Sequence, residues 1–68
     1  MKEFLNKYVY LHIRISEKDL YYTFALVTEI TDSHITICDM NRDSNPYTFR
    51  IVDVIEIKLS NRMDENGN

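Results

Sequence analysis

The sequence predicts an all-β domain, a small five-stranded and strongly bent antiparallel barrel that follows a short N-terminal lead-in or helical turn. Three observations predict it. Val9, Leu11, Ile13 and Ile15 alternate with Tyr8, Tyr10, His12, Arg14 and Ser16, the period of two of a half-buried strand. β-Branched and aromatic residues fill both halves of residues 21–40, YYTFALVTEITDSHITICDM, whose only turn-forming cluster is Asp32-Ser33, so this stretch reads as two strands joined there. No window shows the spacing of three and four that a helix needs, and the turns are too short to hold crossover helices.

The elements follow in order. Residues 1–7 place Phe4 and Leu5 among charges, a lead-in that covers one end of the barrel but is too short for an independent helix. Residues 8–16 form the first strand, and Glu17-Lys18-Asp19 reads as the turn after it. In the second strand Tyr22, Phe24, Leu26, Thr28 and Ile30 share one face, while Tyr21, Thr23, Ala25, Val27, Glu29 and Thr31 share the other. Apolar residues on both faces near Ala25 to Val27 suit a strand that bends, although no Gly marks the bend. The third strand directs Ile35 and Ile37 inward and Thr36 and Cys38 outward. Asn41 to Pro46 is a loop of turn formers. Tyr47, Phe49 and Ile51 share a face, and the phase then breaks near Val52-Asp53, which separates a fourth strand from a fifth with Ile55, Ile57 and Leu59 inward. The expected core is Val9, Leu11, Ile13, Phe24, Leu26, Ile35, Ile37, Phe49, Ile55 and Ile57. Residues 1–60 make one domain, and residues 61–68, NRMDENGN, read as a disordered tail.

With 68 residues, the chain can bury only a modest core, so closure of the sheet or self-association is expected to contribute to its stability. Hydrophobic residues at 44% and charged residues at 28% fit an ordinary folded domain and exclude a disordered one. Eight basic and eleven acidic residues give a net charge of −3 with no block of one sign, which argues against binding nucleic acid through a general basic field but leaves room for a local patch. The lone Cys38 sits in an apolar strand and reads as a reduced, buried thiol. No apolar run reaches the ~20 residues needed to span a bilayer, and residues 1–4 lack the apolar core of a signal peptide, so the reading is cytoplasmic, with no membrane partner.

The layout then resembles a known family. A strand beginning after Asn6-Lys7, a long bent second strand, a third strand after Asp32-Ser33-His34, a variable loop, and then Tyr47-Thr48-Phe49-Arg50 and Val54-Ile55-Glu56-Ile57 are similar to the Sm-like fold, the small barrel of RNA-associated ring proteins. The resemblance covers residues 4–59 and is shared in part with Tudor-type and chromo-barrel modules. Sm-like proteins usually carry an Asp, then a hydrophobic residue followed by a base-reading Asn, at the turn into the third strand; here Asp32 and Ile35 match, and Thr36 stands in place of the Asn. They also carry Ile-Arg-Gly before the last strand; here Arg50 matches, and Ile51 replaces the Gly. The resemblance implies a homo-oligomer in which the fourth strand joins the last strand of a neighbour, with RNA meeting Asp32, His34, Thr36 and Arg50.

No catalytic constellation stands out. His12 and His34 have no Cys, Asp or Glu at metal-ligand spacing on a common face, Ser16, Ser33, Ser44 and Ser60 lack an elbow motif, and Cys38 has no base in its own strand, so the reading is non-enzymatic with no metal and no cofactor. The outward row Tyr8, Tyr10, His12 and Arg14 combines rings and cations that can stack on bases and pair with phosphate; the same rings can instead cover a second small core or a subunit interface. Two functions stay open. One is an Sm-like module that binds RNA as a homo-oligomer. The other is a protein-interaction module or small inhibitor, encoded by a phage or mobile element, that engages another protein through its sheet edge and acidic surface.

Overall fold

The computed structural model describes residues 1–60 of the chain. Five strands form one antiparallel sheet: β1 (Tyr8–Ile15), β2 (Lys18–Ile30), β3 (His34–Asp39), β4 (Pro46–Arg50) and β5 (Val54–Leu59). Short 3₁₀ turns at Lys2–Phe4 and Ile51–Asp53 complete the described chain, and the strand order is β4-β3-β2-β1-β5. The all-β, five-stranded, antiparallel expectation therefore stands, but the sheet is not closed into a barrel. The 3₁₀ turn carries the chain from β4 across to the free side of β1, so β4 and β5 become the two edges of the sheet rather than partners.

The first hairpin is tighter than expected. Ile15 pairs with Lys18, and Ser16 and Glu17 alone make the turn, both left-handed at φ 51° and 67°. That is the geometry of a two-residue type I′ turn, which matches the twist of the flanking strands but favours Asn-Gly. Asp19, read from sequence as part of the turn, is already in β2. The second hairpin turns at Asp32-Ser33, where the Thr31 hydroxyl accepts the amides of Ser33 (3.3 Å) and His34 (3.0 Å). Ile51 donates its amide to the Ser33 carbonyl at 2.9 Å, so the 3₁₀ turn is tied to the β2–β3 turn.

Val9, Leu11 and Ile13 of β1, Ala25 and Val27 of β2, and Ile35 and Ile37 of β3 are fully buried. Phe4, Tyr22, Ile30, Tyr47, Phe49, Ile51, Val54 and Ile57 pack against them. A single sheet of this size buries seven side chains completely only by curling its core face inward, and β2 supplies the curl. Its register with β1 slips between Val9 and Leu11, and its register with β3 slips between Val27 and Glu29. Each irregularity reverses the pleat. Tyr22 faces the core before the first, Ala25 and Val27 between them, and Ile30 after the second. Phe24 and Leu26, expected in the core, are consequently turned to the other face and only partly buried. The bend that lacked a Gly is made by bulges.

A third slip, between His12 and Ile13 on β1, corrects β5. Val54 and Ile57 pack on the core, and Ile55 lies 50% exposed at the irregularity. Leu59 pairs with Val9 on the core side but remains 58% exposed, because no described strand flanks the outer side of β5. In the lead-in Phe4 packs inward and Leu5 is exposed. The tail assigned to residues 61–68 lies outside the described residues.

Two stability measurements check these phases. Ile37→Ala should cost about 2–5 kcal/mol, whereas Ile55→Ala should cost under about 1 kcal/mol, both read from urea midpoints. Replacing Ser16-Glu17 by Asn-Gly should stabilise the domain by about 1 kcal/mol, because both left-handed positions then hold residues that tolerate them. A lower midpoint for the Asn-Gly variant would contradict the turn geometry.

Candidate functional site

The outer face of the sheet carries both groups of residues singled out in the sequence. His34 pairs with Arg50 and Thr36 with Thr48 across β3 and β4, so His34, Thr36 and Arg50 share this face, with Asp32 in the adjoining turn. The Thr36 and Thr48 hydroxyls are 2.8 Å apart, and Ser33 Oγ lies 2.7 Å from His34 Nδ1. Arg50 is not idle. Its Nε and Nη2 donate to the two Asp53 carboxylate oxygens at 3.0 and 3.3 Å, a bidentate pair that locks the 3₁₀ turn to the end of β4.

The second group, Tyr8, Tyr10, His12 and Arg14, lies on the outer face of β1. Tyr8 is level with Leu26 of β2 and, through it, with Cys38 of β3. From that level β1 runs towards Arg14 and β3 runs back towards His34. The two groups therefore occupy opposite ends of one face and do not form a single patch.

The β1 row is already engaged within the chain. Tyr8 stacks on Phe24 at 4.8 Å and 14°, and the Lys58 ammonium sits 5.2 Å from the centre of the Tyr10 ring. The His12 ring stacks on Tyr21 at 4.3 Å while its Nε2 donates to Asp19 Oδ1 at 2.8 Å, and Arg14 Nε donates to that same oxygen at 2.8 Å. With the half-buried Leu26 and Cys38, these rings make a second small cluster behind the main core. The hydrogen bond from His12, reinforced by that from Arg14, holds the Asp19 carboxyl below the usual carboxylate range.

A feature the sequence reading passed over lies where β2 outruns β3. Pairing with β3 begins at Ala25 opposite Asp39, and Met40 donates its amide to the Phe24 carbonyl at 3.0 Å, so among the described residues the half of β2 before Thr23 has a strand, β1, on one side only. A cleft of about 200 Å³ opens on the other side, lined by Asp19, Leu20, Tyr21, Tyr22, Asp39 and Arg42. Asp39, 4% exposed, shapes the loop that bounds it. One carboxylate oxygen accepts the Asn41 amide at 3.1 Å, and the backbone carbonyl accepts those of Arg42 and Ser44. Burial, and then the nearby Asp39 charge, push the Tyr22 phenol up. The sequence signal was available in the 13 residues of β2 against the six of β3.

Among the described residues no three His, Cys, Asp or Glu side chains are grouped to hold a metal ion. No described helix is long and apolar enough to cross a membrane. Compared with protein-family models, curated proteins and solved structures, the chain matches none.

The Asp19 knot carries a pH signature. Its carboxyl is depressed in the folded state, so the stability it contributes is present above the unfolded value of about 3.9 and is lost as pH falls through the folded value. Asp43, held down by the Asn45 amide and then by the Tyr47 hydroxyl, acts in the same sense. Melting temperature should fall below about pH 4, and less steeply in Asp19→Asn, as differential scanning calorimetry from pH 7 to 2 would show. Identical profiles for the two proteins would dismiss the knot as a stabilising element.

Proposed function

We propose that this chain is a non-enzymatic binding module of Sm-like type, which assembles with further copies of itself and offers the His34, Thr36 and Arg50 corner to RNA. The observation that carries the reading is the strand order β4-β3-β2-β1-β5, with the fourth and fifth strands left, among the described residues, as unpaired edges of one bent sheet. An antiparallel union of β4 in one copy with β5 in the next, repeated to closure, removes both edges at once.

The backbone supports that union. Ile51 donates to Ser33, so by antiparallel alternation the amides of Tyr47 and Phe49 also face β3 and those of Thr48 and Arg50 face outward. Ser60 donates to the Tyr8 carbonyl, so the amides of Glu56 and Lys58 face β1 and those of Ile57 and Leu59 face outward. In an antiparallel ladder the facing amides would set Thr48 or Arg50 of one copy opposite Ile57 or the exposed Leu59 of another, so the outer face of one edge would continue into the core face of the other. RNA binding then rests on a local set of groups repeated around the assembly, because a net charge of −3 supplies no general attraction.

A second reading, a module that engages another protein through the same edges, is favoured by two observations. Arg50 is already held by Asp53, and the rings of β1 are already stacked inside the chain.

Light scattering at micromolar concentration should give a mass several times 8.2 kDa. Thr48→Pro, which removes an outward amide and leaves the β3 ladder intact, should return the protein to monomer. A labelled single-stranded RNA should bind the assembly with an affinity that falls as salt rises, and Arg50→Ala should weaken it about tenfold. A wild-type monomer would overturn the assembly, and an assembly indifferent to RNA would leave the protein-interaction reading.

A further inference from the structure

We propose that the first half of β2, from Lys18 to Tyr22, is a docking edge for an extended segment of a partner protein that carries a lysine or arginine. This edge is separate from β4 and β5, and the proposal does not rest on the assembly they would form.

The backbone geometry comes first. A two-residue hairpin places Ile15 and Lys18 in a hydrogen-bonded pair, so the amides and carbonyls of Lys18, Leu20 and Tyr22 face β1. Those of Asp19 and Tyr21 face the opposite side, where β3 has already ended. They open into the cleft and have no backbone partner among the described residues. Two donors and two acceptors spaced along an exposed edge are the template on which an extended peptide adds as a new strand.

The walls of the cleft state the chemistry of the occupant. Side chains of an added strand alternate between the two faces. On the core side they would meet Tyr22 and Asp39; on the outer side, Tyr21 and Asp19. The Asp39 carboxylate is almost fully buried yet among the described residues accepts one close hydrogen bond, from Asn41, with the Arg42 guanidinium 3.8 Å away, beyond hydrogen-bonding range. A carboxylate has room for several more donors, and an ammonium or guanidinium head supplies them with compensating charge. The Tyr22 ring beside Asp39 can cover the apolar stem of such a side chain, and Tyr21, 58% exposed, offers a face on the other side. Arg42 is largely exposed and tied to no other residue in the cleft wall, so it can swing aside as the incoming cation takes its place.

The probe is a capped pentapeptide, Thr-Val-Lys-Val-Thr, titrated into isotope-labelled full-length protein by NMR. The Asp19 and Tyr21 amides should shift together and exchange more slowly with solvent at saturation. Glu in place of the central Lys should lower the affinity about tenfold, and of two alternate N-methylation patterns one should do the same while the other changes little. In the conservative variant Asp39→Asn, which keeps an acceptor for the Asn41 amide, the preference for Lys over Glu should shrink. The peptide arms need no variant, so a poorly folded Asp39→Asn protein leaves the test intact. Equal binding of the Lys and Glu peptides, indifference to both methylation patterns, no binding up to millimolar peptide, or shifts centred on β4, β5 or the His34 corner would each overturn the proposal. Protection of the Asp19 and Tyr21 amides on concentrating the protein alone would overturn it too, by assigning the edge to a second copy of the chain.

Discussion

The alternation of side chains along a strand is the constraint on which this fold turns. A strand of 13 residues with an unbroken pleat would hold one set of residues on one face throughout and would lie nearly flat, and a flat sheet cannot bury Leu11, Ile13, Ile35 and Ile37 completely in so short a chain. β2 escapes by slipping register twice. The slips let Tyr22, Ala25, Val27 and Ile30 face one core although no single period connects them. They also expel Phe24 and Leu26 to the outer face, where Tyr8 covers Phe24. Core and outer cluster are thus two results of one backbone event.

The same event marks the limit of what the sequence discloses. Strands β1, β3 and β4 were legible because their alternation is unbroken: Val9, Leu11 and Ile13, then Ile35 and Ile37, then Tyr47 and Phe49 fall on the core side as read. β2 was legible as a strand but not in phase, since apolar residues occupy both its faces and a bulge leaves no signature when neither residue is Gly. Ile55 was misplaced for the same reason, because a slip opposite His12 and Ile13 is a property of the pair of strands and not of β5 alone. The candidate site divides in the same way. That His34, Thr36 and Arg50 share a face follows from a period of two and a turn at Asp32-Ser33, whereas the pairing of Arg50 with Asp53 depends on a 3₁₀ turn whose angle no residue pattern states.

The partners taken by the polar groups weigh on function. A stacking platform for bases needs rings with free faces, and on β1 the rings of Tyr8, Tyr10 and His12 are met by Phe24, Lys58 and Tyr21. Asp19 then anchors both His12 and Arg14 of the row. What this surface gains in order it loses in availability. The amides and carbonyls of the sheet edges that face away from a neighbouring strand are, among the described residues, a further set of polar groups open to contact.

Those edges are not guarded alike. β4 begins with Pro46, which lacks an amide on the outward side, and ends with Arg50, so only a short central section can pair. β5 places Glu56 and Lys58 on the outer face but leaves Leu59 uncovered on the core face at its far end, while Val52, in the turn before the strand, is 82% exposed. An edge that combines open amides with uncovered aliphatic area gains from a broad, apolar partner strand, which favours a second sheet of the same kind. The β2 edge has the opposite character: two outward amides, a buried carboxylate and two tyrosines around a small cleft. It has little apolar area to bury against a sheet but specific groups to satisfy, and that combination selects a short strand with one charged side chain over a wide, greasy interface.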